Sequence, residues 1–255
     1  MNGTPLRRWT LLLLATLAAA PASARTLAEI RQSGMLRLAT EGNYRPFNYY
    51  QGKTLTGFEV DLGNAIARQL GVKAQWSTIV FDSLLIGLAQ NKYDLVIASH
   101  GITPERLKAV DFSAPHYCSG GVLVTLPGGP RTTADLNGKV VSLGVNTSYL
   151  QYAQRLPGLK GIRTLPTTSD QLTAVFNRRA DAIVLDRFNA IDVARTLPGK
   201  LQLGDVIFPE RIGMAVQKGN SGLLSAVNGS LARLLGDGTY AKLSGTYFGQ
   251  DIRCR

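Results

Sequence analysis

The chain has 255 residues, with 28 Lys and Arg against 17 Asp and Glu and a formal net charge of +11. Its basic residues are scattered, with no aromatic-plus-basic stripe, so a nucleic-acid binder is set aside and the charge reads as a surface property suited to acidic membrane surfaces or partners. Two histidines and two cysteines, spread as His100, His116, Cys118 and Cys254, make a poor zinc set while permitting one disulfide, and neither metal nor cofactor is expected.

The first residues carry an export signature. Arg7 and Arg8 form a positive region, Trp9 to Ala20 an apolar run, and Ala22-Ser23-Ala24 a small-residue cleavage site. The run is too short for a membrane anchor, and no cysteine stands at the cleavage site to take a lipid. A mature chain starting near Arg25 and delivered to the periplasm is therefore expected. What remains suffices for one large or two modest α/β domains, and no later segment reaches the length of a membrane span.

Leu36 to Thr40 alternates apolar and polar residues as a strand and ends in the turn cluster Glu41-Gly-Asn-Tyr44. Phe58, Leu62, Ile66 and Leu70 then recur at helical spacing up to Gly71. A strand over Val72 to Val80, a helix from Phe81 and Asp82, and a strand over Tyr93 to Ser99 complete an alternation that predicts a parallel sheet flanked by helices. Around "SGGVLVTLPGGPR" an extended strand runs into a Pro/Gly turn, a place where a chain leaves one domain for another. A second cycle follows. Lys139 to Val145, "GIRTLP", Ala180 to Leu185 and Ile212 to Gln217 read as strands. Helices are expected through Leu150 to Leu156, over Ser169 to Arg178, after Asp186, and over Leu223 to Leu235.

The loops after these strands hold the candidate chemistry. Arg106 sits in the first turn of a helix begun by Thr103 and Pro104, where the macrodipole already supplies positive charge, so an anion is expected to accompany it. A carboxylate matches a planar guanidinium. Asn146-Thr147-Ser148 reads first as a helix cap and second as an anion site. Asp186, after the apolar strand, is likewise a cap or an ammonium partner. Tyr44 and Phe81 are core or ligand walls, and Glu41 is solvated or reads a polar ligand end. Together they describe a pocket for an α-amino acid.

The motifs "TEGNYRPFNYY", "GFEVDLGNAIARQLGV", "NKYDLVIASHGITPERLKAVDFSAPHY", "VNTSYLQYA", "RRADAIVLD" and "LLGDGTYAKLSGTYFG" occur in order from Leu36 to Gly249. As a set they resemble the polar-amino-acid family of periplasmic solute-binding proteins (family 3), the receptors of ABC importers. The resemblance implies the two-lobed periplasmic-binding-protein fold, two Rossmann-like α/β lobes joined by two crossing hinge strands. On that reading 1–24 is the signal peptide, 25–119 and 209–255 form lobe 1, and 120–208 forms lobe 2. It also implies a carboxylate site of Arg106, Thr147 and Ser148, an ammonium site of Asp186 with main-chain groups at Ser99 and Gly101, walls of Tyr44 and Phe81, and Glu41 as side-chain reader. The C-terminal segment of such a fold returns to the first lobe, which brings Cys254 toward Cys118 and implies a disulfide between them. The expected partners are a small-molecule L-amino acid and the membrane permease subunits, with the protein itself a monomer.

Three positions depart from the family pattern. Asn146 replaces a glycine, which its tolerance of left-handed backbone allows. Gly101 replaces a serine or threonine and loses a hydroxyl contact, and His100 stands where relatives are apolar. With Glu41 the one charged reader, beside Tyr44, Phe81 and His100, a polar or basic ligand is expected: glutamine, arginine, lysine or histidine, with a protonated His100 able to offset Glu41. No nucleophile and base pair up, so no catalysis is expected. A cyclohexadienyl-dehydratase-like enzyme with Glu41 as general acid is the competing reading. An amino-acid sensory domain is the third, with no kinase segment in the sequence to serve it.

Overall fold

The computed structural model describes residues 24–254, and the signal-peptide reading falls outside them. In chain order the elements are α1 (Leu27–Ser33), β1 (Met35–Thr40), β2 (Asn43–Tyr44), β3 (Asn48–Gln51), β4 (Thr54–Thr56), α2 (Phe58–Gln69), β5 (Lys73–Thr78), α3 (Phe81–Ala89), β6 (Leu95–Gly101), α4 (Pro104–Ala109), β7 (Val110–Phe112) and β8 (Tyr117–Thr125). Then come β9 (Val140–Leu143), α5 (Ser148–Ala153), β10 (Gly161–Thr164), α6 (Thr168–Phe176), β11 (Ala182–Asp186), α7 (Arg187–Thr196), β12 (Gln202–Gln217), α8 (Ser221–Gly236) and α9 (Thr239–Phe248).

Two α/β lobes share one curled sheet of order β10-β9-β11-β8-β12-β6-β1-β5, with β7 beside β12. Strands β1, β5 and β6 are mutually parallel at one end, and β9, β10 and β11 at the other. The long antiparallel strands β8 and β12 cross between them. β12 pairs first with β8, from Gln202 opposite Thr125 to Ile212 opposite Tyr117, and then with β6 and β7.

Alternation along the strands builds a core on each face. Leu38, Leu95, Ile97, Met214 and Val216 face one cluster with α2, α8 and α9, while Ala39, Val96, Ala98 and Ala215 face another under α3. In the second lobe Val122, Val124, Ile183 and Leu185 turn to one side, and Leu123, Ala182 and Val184 to the other.

The structure corrects the sequence reading in three places. β12 begins at Gln202, ten residues before the strand the pattern predicts. Thr239–Phe248 forms a helix that the turn signal Gly236-Asp-Gly had closed off. The stretch after Glu41 builds a separate three-stranded sheet. α1, also unread, carries a capping box in which Thr26 and Glu29 bond reciprocally. Cys118 and Cys254 are bonded, with Cα atoms 4.8 Å apart.

Candidate ligand site

Every predicted site residue lies at or just beyond the carboxyl end of a strand, where the crevice of an open parallel sheet forms. A cavity of about 210 Å³ opens between the lobes. From the first lobe it is lined by Glu41, Tyr44, Phe81, Asp82, Ser99 and Arg106, and from the second by Thr147, Ser148, Tyr149, Thr167 and Gln171, among others. Gly101 and Asp186 stand outside this lining.

Arg106 is the third residue of α4, whose N-cap Thr103 accepts the Arg106 amide. The side chain is 8% exposed and spans the lobes. Nη1 donates to the Gly101 carbonyl at 2.9 Å, Nη2 donates to the Asn146 carbonyl at 2.8 Å, and the guanidinium lies 5.6 Å from the Phe81 ring centre. Asn146 adopts φ 57°, the left-handed conformation its side chain tolerates. Thr147 caps α5, its Oγ1 accepting the Leu150 amide and donating to the Gly144 carbonyl.

Asp186 does what the simpler sequence reading predicts. Its Oδ1 accepts the amides of Phe188 and Asn189 as the cap of α7. Its Oδ2 is buried, and burial pushes the carboxyl up to about 7 against the Ser119 hydroxyl and the Phe188 amide. The Asp186 amide donates to the Tyr44 hydroxyl across the lobes at 3.3 Å. The lobes also meet where Asn189 Nδ2 donates to the Arg45 carbonyl.

Glu41 lies at the other side of the cavity. Burial first, with Asp82 and Glu59 nearby, raises its carboxyl to about 7 against a bond from Asn43. His100 is not a reader. Its ring is buried, absent from the cavity lining and stacked on Phe81 at 4.3 Å between centres. Burial and the Arg106 charge hold the imidazole well below its usual range, so it is neutral at physiological pH and offsets no carboxylate.

Two acidic residues that the sequence reading passed over organise the site. Glu59, fully buried on α2, accepts from the Ser99 amide, the Ser99 hydroxyl and Asn48 Nδ2, and its Oε1 lies 3.0 Å from His116 Nε2. Asn48 in turn accepts the Gly42 amide. One carboxylate thus fixes Ser99 in left-handed backbone (φ 52°) and steadies the loop bearing Glu41. Its sequence signal was ambiguous, because an acid in a helix's first turn reads equally well as a macrodipole complement. The other is Glu210, on the crossing part of β12, which accepts a hydrogen bond from Ser148 Oγ.

Residues 36–250 match the family described as bacterial extracellular solute-binding proteins, family 3. The chain is 34% identical over 232 residues to the L-cystine-binding protein TcyJ of Escherichia coli (strain K12), covering 89% of this chain and 87% of that protein. Among solved structures it is similar to the P235GK mutant of ArgBP from T. maritima, with TM-score 0.82 and 31% identity over 88% of this chain and 99% of that one. It is similar as well to the ancestral amino acid-binding protein AncCDT-1, a precursor of cyclohexadienyl dehydratase. There the TM-score is 0.81 and the identity 33%, over 87% of this chain and 99% of that chain.

Proposed function

Because the chain belongs to the bacterial extracellular solute-binding proteins of family 3, we propose that it captures a polar or basic L-amino acid between its lobes and delivers it to the permease of an ABC importer. The observation that carries this reading is the polarity of the cavity. Arg106 stands at one side, Glu41 and Asp82 at the other, and no second basic residue lines it among the described residues. Arg106 with Ser148 and Thr147 takes the α-carboxylate. The buried Oδ2 of Asp186, with main-chain groups at Ser99 and Gly101, receives the α-ammonium, and Tyr44 and Phe81 wall the side chain. Asp186 and Gly101 stand outside the cavity lining, so the ammonium reaches past that lining to meet them. Glu41 reads its far end, where a cation replaces the missing counter-charge and an acidic ligand meets two carboxylates in a poorly screened space. L-Cystine brings a second ammonium and a second carboxylate to the same end, and suits it only with the ammonium turned to Glu41 and the carboxylate turned away. In this reading residues 25–119 and 209–255 make one lobe, 120–208 the other, and the protein acts as a periplasmic monomer after cleavage near Ala24.

Calorimetric titration with L-arginine, L-lysine, L-histidine, L-glutamine and L-cystine tests the assignment. Binding of at least one is expected; tight binding of aspartate or glutamate alone would overturn it. Glu41 adds a pH signature. Its carboxyl ionises near 7, and only the anion attracts a cationic end, so the preference for L-arginine over its neutral analogue L-citrulline rises severalfold between about pH 6 and pH 8. Glu41→Gln abolishes the rise.

The likeness to a dehydratase precursor and the acid near 7 in the cavity favour one second reading, with Glu41 as general acid. Incubation with prephenate or arogenate separates the two. No aromatic product is expected, and its formation would establish the enzyme.

A further inference from the structure

Glu210 is a charge that the amino-acid site does not need. Its side chain lies between the lobes. Oε1 accepts from Ser148 Oγ of the second lobe, and a Cβ placed on Gly101 of the first would stand 2.6 Å from that same oxygen, closer than the atoms can approach. The hydroxyl lost at position 101 is therefore space given to this carboxylate. Oε2 is buried, and the Tyr149 hydroxyl also faces this carboxyl. Glu210 and Ser148 also line a more open groove of about 1120 Å³ with Arg155 and Arg211, and Ser148 lines the ligand cavity too, so Glu210 stands in the partition between the two.

We propose that Glu210 is an internal anion of the carboxylate subsite, competing with the ligand carboxylate for Arg106 and Ser148, so that amino-acid binding is coupled to uptake of one proton by Glu210. The proposal rests on the reading of the cavity as an amino-acid site. Two carboxylates cannot share a dry space with one guanidinium unless one is neutral. The ligand's remains ionised, because its acidity is the greater and burial already raises the Glu210 carboxyl, against the Ser148 and Tyr149 hydroxyls and the Arg106 charge. The groove supplies the proton from solvent while the ligand covers the cavity. Binding raises the affinity of Glu210 for its proton, and the ligand's affinity falls, by up to about tenfold per pH unit, as pH climbs through the window between the free and bound values. The other groups facing Glu210 are Tyr149, Tyr44 and Asp186. The tyrosines stay protonated, and Asp186, meeting the ligand ammonium, releases protons rather than taking them up.

Because these contributions oppose one another, the test is a difference. The tightest binder among L-arginine, L-lysine, L-histidine, L-glutamine and L-cystine is titrated by calorimetry into wild type and Glu210→Gln, in buffers of different ionisation enthalpy at about pH 6 to 9. Wild type is expected to take up more protons than the variant, approaching one, and the variant to bind about tenfold more tightly at the alkaline end. Equal proton counts with a bound ligand would overturn the role of Glu210 alone. Failure of every amino acid to bind wild type would overturn the site itself. If the variant melts far below wild type, carboxyl NMR of ¹³C-labelled glutamates in wild type replaces it. One buried glutamate titrating higher with ligand supports the coupling, and no such upward shift refutes it.

Discussion

Arg106→Ala is expected to lower amino-acid affinity by two to four decades. The guanidinium is the one cation lining the cavity among the described residues, and it is held in place by two backbone carbonyls, one from each lobe. Its truncation leaves a buried ligand carboxylate with no counter-charge, a loss of about 3–5 kcal/mol for one side of a buried pair. Arg106→Lys keeps the charge but loses the planar fork that donates to Gly101 and Asn146 at once, so its affinity is expected between those of wild type and Arg106→Ala. Calorimetry with the tightest-binding amino acid checks this, alongside a melting curve to exclude loss of fold. A loss below threefold in Arg106→Ala would remove Arg106 from the site.

Replacing Cys118 and Cys254 together by serine is expected to cost about 4–5 kcal/mol of unfolding free energy, since the bond spans 136 positions and closing so long a loop removes much denatured-chain entropy. Around the bond the tail is otherwise lightly fixed. The Cys118 amide donates to the Ile252 carbonyl at 3.3 Å, Ser244 Oγ bonds Gln250 and Ile252, and Ile252 packs into the first lobe's core. Urea denaturation of the variant and of reduced wild type measures the effect. A difference below about 1 kcal/mol would mean that these contacts hold the tail unaided.

What the sequence made legible was whatever local pattern decides. Leu95 to Ala98 alternates because both faces of that strand meet a core, and Thr103-Pro104 announces the helix that carries Arg106. The first half of β12 was hidden because Gly204, Asp205 and Pro209 break every strand signal, and the segment is extended only through its pairing with β8. Glu210 was hidden with it. Glu59 and His100 show a different limit. Each was visible as a residue type, but whether a carboxylate is a solvated cap or a buried hub, and whether an imidazole faces a ligand or a ring, depends for Glu59 on Ser99 and His116, forty and more positions away, together with Asn48, and for His100 on the Phe81 ring. Asp186 was read both ways, and its two oxygens divide accordingly between cap and buried acceptor.

The route of β12 has a consequence for how the chain acquires its structure. The sheet around β1 is left without its β12 neighbour until Ile212 to Gln217 dock, and its core also draws on Leu223, Leu231, Tyr240 and Ile252. A polypeptide emerging amino end first cannot complete that half until nearly its last residue is available. The strands β8 to β11 pair within a span of some seventy positions and can organise sooner. Long sequence separation between partners slows closure and prolongs the exposure of unpaired edges. The early-made half is therefore expected to fold late, and during that interval the edge of β6 that β12 will occupy stays unpaired and open to wrong pairing.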